Sequence, residues 1–389
     1  MIALAALAVA RRVAAEGTPA LALQRTLPAS VRIRGNSPAI SWPREGQAAV
    51  EIEGVGSFGA SGASTPVPIA SVAKVMTAYL TLLEHPLAPS QAGFEIAVTR
   101  ADVTEEARRV ALGESTVPVR RGERLSERQA LQALLLPSAN NVAALLAVRD
   151  AGSQRAFIAR MNATAKRLGM RSTSYTDPSG FNPGTVSTAS DQLKLVRVAM
   201  QIPAFAAIVA EPRAVLPVAG AVSNLNALVG QEGYVGVKTG SDGAAGGCLV
   251  FAKRFTVGVR RLTELGVVLD QREGALVESA LVSARQLGDS AASAVGMKTV
   301  LPAGTSVLRA SNTAARNTAV VTLRALRVPG WGGMSVPVQL LVRGSLTHLR
   351  EGELVARVRA GSAGASAGGA VAAHSLAGPS LSWRLQHLL

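Results

Sequence analysis

The chain has 389 residues, enough for one large and one smaller domain whose cores need neither disulfides nor metal. Hydrophobic residues make up 48% of it, which excludes a disordered chain, and a single cysteine, Cys248, excludes an intramolecular disulfide. The formal charge of +15 favours anionic surroundings, but the sequence has no basic run interleaved with aromatic residues, so we expect no nucleic-acid partner. Its four histidines are scattered, so we expect no metal and no cofactor.

The N-terminal segment, residues 1–35, begins with an apolar run. Ile2 to Ala10 is continuously apolar, lacks a preceding basic region and is too short to span a bilayer. The run fits the remnant of an export signal or anchor, and it fits a frayed N-terminal helix equally well. Both interpretations stay open from the sequence.

A strand and a helix follow, separated by glycines. Gln47 to Glu53 predicts a strand, and the glycines after it indicate a hairpin turn. They match G-x-G-x-x-G, but the segment that follows cannot open the helix on which a dinucleotide phosphate would rest, so we reject a nucleotide site. Ser71 to Glu84 has apolar residues all round the helical wheel, which predicts a buried helix with Ser71 and Lys74 in its first turn.

More helices and then strands are predicted down to residue 294. The helical patterns are Leu125 to Val148, broken at Pro137, Gln154 to Leu168, Ser190 to Met200 and Gly274 to Leu287. The strand patterns are Tyr234 to Lys238, Cys248 to Ala252 and Leu265 to Leu269. Strands at both ends of the segment with helices between them indicate an α+β sandwich for residues 36–294.

The C-terminal part changes character. Residues 295–360 consist of short alternating runs punctuated by turns, which predicts a small all-β domain. Residues 361–389 begin with a low-complexity stretch that predicts a flexible linker. A short amphipathic tail from Ser380 to Leu389 ends the chain, and it suits either a membrane interface or a disordered or domain-packed end.

Three short motifs carry the chemical signal: Ser71-Val-Ala-Lys74, Ser138-Ala-Asn140 and Lys238-Thr-Gly240, in that order. The spacing of three on a helix puts the Lys74 amine beside the Ser71 hydroxyl, where desolvation and a neighbouring cation lower the lysine pKa enough to make it a base. A Ser-His-Asp triad has little support, because none of the four histidines lies in a motif-like setting. Alone, Ser71 and Lys74 would be explained as a helix cap followed by a lysine that reaches solvent.

The motif order resembles that of the penicillin-recognising serine enzymes. The neighbouring residues narrow the resemblance to the low-molecular-mass D-alanyl-D-alanine carboxypeptidases. They are Pro68 to Thr77, Leu136 to Asn141, Met161 to Met170, Asp177 to Gly180, Asn226 and Gly236 to Gly240. The resemblance covers about Ile40 to Leu287, and it implies the β-lactamase/D,D-peptidase sandwich, an antiparallel sheet flanked by helices with a helical subdomain, followed by a small β domain.

The resemblance implies catalytic roles for the first two motifs. Ser71 would be the acylated nucleophile and Lys74 the base that takes its proton. Ser138 would relay a proton to the leaving D-alanine, and Asn140 would hold Lys74 and the substrate amide. The middle residue, Ala139, departs from the usual pattern, which bears on substrate preference rather than on acylation.

It also implies a binding role for the third motif. Lys238 and Thr239 would bind the terminal carboxylate, and Gly240 would leave room for the substrate backbone. The backbone N–H groups of Ser71 and Ser241 would form the oxyanion hole. Ser241 stands where related enzymes often have another side chain, which again bears on substrate preference.

The implied substrate is a peptidoglycan stem peptide ending in D-Ala-D-Ala, with β-lactam antibiotics as covalent inhibitors. That substrate lies outside the cytoplasmic membrane, so we expect an exported protein, and membrane-surface contact stays open. A D,D-endopeptidase would use the same residues. A non-catalytic wall-binding protein is the alternative of a different class, and the intact motifs oppose it. A β-lactamase is disfavoured because E-x-x-L-N is absent from the sequence.

Overall fold

The computed structural model describes residues 19–362 and 366–378. Its strands are β1 Ala22–Arg25, β2 Ser30–Arg32, β3 Gln47–Ile52, β4 Gly56–Ser61, β5 Val67–Pro68, β6 Glu95–Ala97, β7 Arg124–Ser126, β8 Val186–Ser187, β9 Arg213–Leu216, β10 Gly220–Ser223, β11 Tyr234–Asp242, β12 Gly246–Val257, β13 Arg260–Gln271, β14 Gly296–Leu301, β15 Ser306–Ser311, β16 Asn317–Thr322, β17 Leu326–Gly330, β18 Ser335–Val342, β19 Leu354–Ala360 and β20 Ser366–Ala372. Its α-helices are α1 Lys74–Glu84, α2 Arg100–Ala111, α3 Glu127–Leu135, α4 Asn140–Ala151, α5 Gln154–Arg167, α6 Ala189–Ala199, α7 Pro203–Val209 and α8 Leu276–Ala294.

The chain forms two compact units. The larger unit comprises residues 39–294, and the other, which we call the β unit, comprises the described residues of Met1–Pro38 and Val295–Leu389. Each has its own hydrophobic core.

The larger unit is built on a five-stranded antiparallel sheet with the order β11-β12-β13-β3-β4. On one face, α8 packs Ala284 and Leu287 against Leu249 and Phe251 of β12. A second and larger apolar cluster of this unit combines side chains of the sheet with side chains of α1, α3, α4, α6 and α7. The α+β sandwich predicted for this region is confirmed.

Local sequence signals explain where most helices begin and end. The capping box of Ser126 and Gln129 starts α3, and the predicted Leu125 to Val148 helix is two helices, α3 and α4, separated around Pro137. In contrast, α8 continues past the predicted end at Leu287 to Ala294. Gly288 lies inside this helix, and an ideal Cβ there would lie 2.6 Å from the Tyr234 hydroxyl. Close packing against the sheet therefore explains this glycine.

The β unit contains a seven-stranded antiparallel sheet with the order β1-β15-β16-β20-β19-β18-β2, and a separate ribbon of β14 and β17. Its core consists of alternating side chains such as Val307, Val320, Val336 and Val358. Residues 295–360 contain strands and turns, as predicted.

Two predicted boundaries are wrong. Residues 19–35 belong to the β unit, because β1 pairs with β15 and β2 pairs with β18. The predicted linker after residue 360 contains β20, which pairs with both β16 and β19. An ideal Cβ at Gly368 or Gly369 would lie 2.8 Å from Leu326 or 2.9 Å from Leu354. The small residues at these two positions of β20 are thus explained by close packing.

The remaining predictions about the chain ends concern residues 1–18 and 379–389, which lie outside the described residues. These predictions are the export signal and the amphipathic tail. Among the described helices, no single one has the length and apolarity needed to cross a membrane. The pair α6 and α7 meets that test jointly, but it bends by 113° at the break between the two helices.

Candidate active site

Ser71 and Lys74 lie at the start of α1, under the edge of the sheet. Ser71 is in the 3₁₀ turn Ala70–Ala73, and Lys74 is the first residue of the helix. Lys74 Nζ is hydrogen-bonded to Ser71 Oγ at 2.7 Å, and it donates to the Ser179 carbonyl at 3.1 Å. Lys74 is fully buried, whereas Ser71 is partly exposed. The pair therefore opens to solvent at the hydroxyl, where a substrate can approach.

The surroundings of Lys74 favour its neutral form. Burial lowers the pKa of Lys74 well below its ordinary value, and the positive charge of Lys238 lowers it further. Asp177 and Glu114 act in the opposite direction but less strongly than burial. A neutral amine can accept the Ser71 proton, which is the role of a general base.

The loop after Asp177 holds Lys74 in place. The Asp177 carboxylate accepts hydrogen bonds from the N–H groups of Ser179 and Phe181 and from the hydroxyl groups of Ser179 and Thr185. Gly180 has φ of +80°, and an ideal Cβ there would lie 1.8 Å from the Ala70 carbonyl oxygen. The loop thus packs directly on the nucleophile turn and aims the Ser179 carbonyl at Lys74. The sequence pointed to this segment without giving it a role.

The second motif supplies two buried polar atoms that have no partner. Ser138 is 2% exposed and has φ of +71°, and its Oγ has no hydrogen-bond partner in the described part of the chain. The same holds for Asn140 Oδ1. Lys74 donates to Ser71 and Ser179 and makes no hydrogen bond to Asn140 in the described part of the chain, so the role expected of Asn140 stays a prediction. Unpaired buried polar atoms are costly, so these two atoms are suited to bind a ligand.

A buried ion pair that no sequence pattern indicated lies behind this motif. Glu114 Oε2 accepts from Arg109 Nη1 at 2.7 Å and from Asn140 Nδ2 at 2.8 Å. The side chains of Arg109 and Glu114 are 10% and 3% exposed. The pair orients the Asn140 amide so that its oxygen stays unpaired. A single carboxylate in a loop has no spacing pattern, so nothing in the sequence singled it out.

The third motif lies on β11, an edge strand of the sheet. Lys238 and Thr239 are 1% and 4% exposed, and Lys238 Nζ donates to the Thr239 carbonyl at 3.0 Å. Burial lowers the pKa of Lys238 to about 7. An ideal Cβ at Gly240 would lie 2.9 Å from the Ser71 nitrogen and 3.1 Å from the Ile69 oxygen. The strand therefore runs against the nucleophile turn, while Ser241 beyond it is exposed.

This close approach predicts a large effect for Gly240→Ala. The added methyl group would push the strand away from the Ser71 N–H, and displacing a reacting group by about 1 Å can cost about a hundredfold in rate. We expect the rate of Ser71 acylation by a fluorescent penicillin to fall about that much. The matched control is Gly243→Ala, where an added Cβ meets nothing within 4 Å. Equal acylation rates in both variants would contradict the described contact.

Comparison with known proteins agrees with this arrangement. Residues 59–272, more than half of the chain, match the family model described as D-alanyl-D-alanine carboxypeptidase. The chain belongs to the D-alanyl-D-alanine carboxypeptidase family. The three motifs all lie within the matched residues, so the sequence resemblance to this family is confirmed.

Among similar family members, some are named endopeptidases and others carboxypeptidases. The chain is 39% identical over 137 residues to a D-alanyl-D-alanine endopeptidase of Pseudomonas aeruginosa, which is 35% of this chain and 41% of that protein. It is 37% identical over 185 residues to the D-alanyl-D-alanine carboxypeptidase DacB2 of Mycobacterium tuberculosis, 46% of this chain and 59% of that protein. The chain thus spans about half the length of these curated relatives.

Solved structures share the fold. A mutant of the Streptomyces K15 DD-transpeptidase superposes with a TM-score of 0.56 and 25% identity, covering 66% of this chain and all of that one. Penicillin binding protein 5 of Haemophilus influenzae gives a TM-score of 0.59 at 16% identity, covering 88% of this chain and 99% of that one. The second likeness concerns the fold alone.

Proposed function

We propose that this chain is a serine-type D-alanyl-D-alanine carboxypeptidase, which removes the terminal D-Ala from peptidoglycan stem peptides and is acylated by penicillins. The observation that carries the proposal is the hydrogen bond of 2.7 Å between Ser71 Oγ and the fully buried Lys74 amine. Family membership supports it, because the matched residues contain the pair.

The reaction begins with proton transfer to Lys74. The neutral amine takes the Ser71 proton, and Ser71 Oγ forms a bond to the carbonyl carbon of the penultimate D-Ala. The peptide C–N bond then breaks, and the leaving D-Ala nitrogen receives a proton, with Ser138 as the relay. Water hydrolyses the resulting ester and regenerates Ser71. In a β-lactam the leaving nitrogen stays tethered after the ring opens, so the acyl-enzyme persists.

In this proposal the third motif, Lys238-Thr-Gly240, binds the substrate carboxylate. The Lys238 amine and Thr239 are buried beside the edge of β11. A protonated Lys238 there forms a charge-assisted hydrogen bond to a C-terminal carboxylate, in a site with little competition from water. An extended peptide can pair along the free side of an edge strand, which directs its terminal residues towards Ser71.

The second candidate is a D,D-endopeptidase that cleaves cross-links. It is supported by the name of the Pseudomonas aeruginosa relative. The acylation chemistry is common to both reactions. They differ in what lies beyond the scissile bond, a single D-Ala or a second stem peptide. The buried Lys238 suits a leaving group with a free carboxylate next to the scissile nitrogen, as in a terminal D-Ala.

The location of the protein follows from the proposed substrate. Peptidoglycan stem peptides are cross-linked outside the cytoplasmic membrane, so we propose that the protein acts there after export. Contact with the membrane surface is part of the same proposal.

The test incubates the purified protein with a stem pentapeptide ending in D-Ala-D-Ala and, separately, with cross-linked muropeptide dimers. Mass spectrometry should show loss of one D-Ala from the pentapeptide and little conversion of dimer to monomers. Faster cleavage of the dimer would replace the proposal with the endopeptidase. A folded protein that cleaves neither would support the non-catalytic alternative. Ser71→Ala is the control for both reactions.

A further inference from the structure

The positive charge of the chain is concentrated in the β unit. Its described residues contain twelve Lys and Arg against two Glu, a formal charge of +10. The larger unit, with more than twice as many residues, contains 25 Lys and Arg against 22 Asp and Glu, a formal charge of +3. A bias of composition that runs through the whole chain would affect both units alike. The near absence of acidic residues is therefore a property of the β unit itself.

These charges are exposed and have no acidic partners. Eleven of the twelve basic residues of the β unit are exposed. All ion pairs between described residues that the structure shows lie in the larger unit. Several arginines of the β unit donate to backbone carbonyls, but Arg309, Arg357 and Arg359 donate no hydrogen bond to any described residue. Their guanidinium groups are free to bind an external anion.

Strand register places these three arginines on one face of the seven-stranded sheet. Arg357 and Arg359 are two residues apart on β19, so they share a face, opposite Gly369 and Ala367 of β20. Val371 is two residues from Gly369, so it lies on the same face of β20, and it pairs with Val321 of β16. Ala319, two residues from Val321, shares that face and pairs with Arg309 of β15, so Arg309 lies on it too. The face with these arginines is opposite to the one that packs Val320 and Val358 into the core. We call it the arginine face.

We infer that the arginine face binds a linear polyanionic polymer. Guanidinium groups present planar pairs of donors that match phosphate and carboxylate groups. Between Arg309 and the two arginines of β19, the face carries Ala319 and Val321 of β16 and Gly369 and Val371 of β20. None of these four residues is charged, so the guanidinium groups are the charged groups that an extended polyanion would meet there. The inference goes beyond the proposed peptidase reaction and does not depend on it.

The composition of the face favours a polymer over a membrane surface. A surface that enters the lipid interface needs aromatic or large apolar side chains beside its basic residues. In the described residues of the β unit the one aromatic side chain is Trp331, which is 6% exposed. Exposed Leu341 is beside Arg357, but the positions on the other side of Arg357 and Arg359 are Gly369 and Ala367. Among the described residues the arginine face thus presents three guanidinium groups and no exposed Phe, Tyr or Trp, which suits electrostatic contact better than insertion into lipid.

The test measures binding of the full chain to inorganic polyphosphate over a series of salt concentrations. We expect the affinity to fall steeply with salt, because each neutralised phosphate releases counterions. The variant with Arg309→Gln, Arg357→Gln and Arg359→Gln should bind at least tenfold more weakly. The slope of log affinity against log salt should also shrink by roughly two to three. The matched control carries Arg121→Gln, Arg155→Gln and Arg171→Gln, three exposed arginines of the larger unit with the same loss of charge.

The inference holds if the arginine-face variant loses affinity while the control stays within about twofold. Equal losses in both variants would overturn it, because net charge alone would then explain binding. Binding to phosphatidylglycerol vesicles without binding to polyphosphate would also overturn it, in favour of a membrane surface. Circular dichroism and the rate of penicillin acylation, which both triple variants should retain, show that the variants are folded. They also separate this result from any failure of the proposed peptidase activity.

Discussion

Replacing Lys74 with methionine is expected to slow acylation of Ser71 by penicillin about a thousandfold, the typical contribution of a general base. Lys74→Met removes the amine that is hydrogen-bonded to Ser71 Oγ while keeping a side chain of similar length. Because Lys74 is fully buried and its charged form is disfavoured, methionine should not lower the melting temperature. The measurement is the second-order rate constant with a fluorescent penicillin, and Lys166→Met, at an exposed lysine, is the control.

Two further results separate a base from a simple cation at this position. Lys74→Arg keeps a positive charge but cannot be deprotonated, so it should be as slow as the methionine variant. In the wild type the acylation rate should rise with pH through the lowered pKa of Lys74, on the acidic side of its profile, because the neutral amine is the active form. An arginine variant within tenfold of wild type would show that Lys74 acts through its charge.

Replacing Lys238 with glutamine is expected to reduce kcat/KM for peptides ending in D-Ala-D-Ala about a hundredfold. That corresponds to about 3 kcal/mol, typical for truncating one partner of a buried charge pair. The loss should be much smaller for the same peptide with an amidated C-terminus, because it has no carboxylate. Lys238→Gln should therefore abolish most of the preference for the free acid. A preference that survives the substitution would assign carboxylate binding to another group.

The same variant should change the pH profile. With a pKa of about 7, Lys238 loses its charge as the pH rises through that value, so binding of the carboxylate should weaken on the alkaline side. Lys74 must be neutral, which sets the acidic limb, so the wild-type profile should be bell-shaped. The positive charge of Lys238 lowers the pKa of Lys74, and removing it should raise that pKa. The acidic limb should thus move to higher pH in Lys238→Gln, and an unmoved limb would contradict the coupling of the two lysines.

Sequence patterns predicted the local part of this site and missed the rest for a physical reason. The spacing of Ser71 and Lys74 fixes their proximity on a helix, so their hydrogen bond was predictable. The contact of Glu114 with Asn140 joins a loop to the first residue of α4 and leaves no periodic signal. The sequence also gave no reason to expect that Ser179 would present its carbonyl to Lys74.

For the fold, too, some features were predictable from local sequence and others were not. Periodicity located α1, α3 to α6, α8 and most of the sheet of the larger unit, because burial is repeated at regular spacing along each of these elements. It did not locate α2 or α7. The segment of β20 was misread because its glycines and alanines look like a linker, although two of those glycines are required by Leu326 and Leu354. Small residues chosen for close packing and small residues chosen for flexibility have the same composition.

The most direct test of the account is the mass of the intact protein after incubation with penicillin, followed by peptide mapping. One covalent adduct is expected, on the peptide that contains Ser71, and none is expected in Ser71→Ala, although that variant should have the same circular dichroism spectrum. An adduct on another residue, or a folded wild-type protein that forms none, would contradict the assignment of Ser71 as the nucleophile.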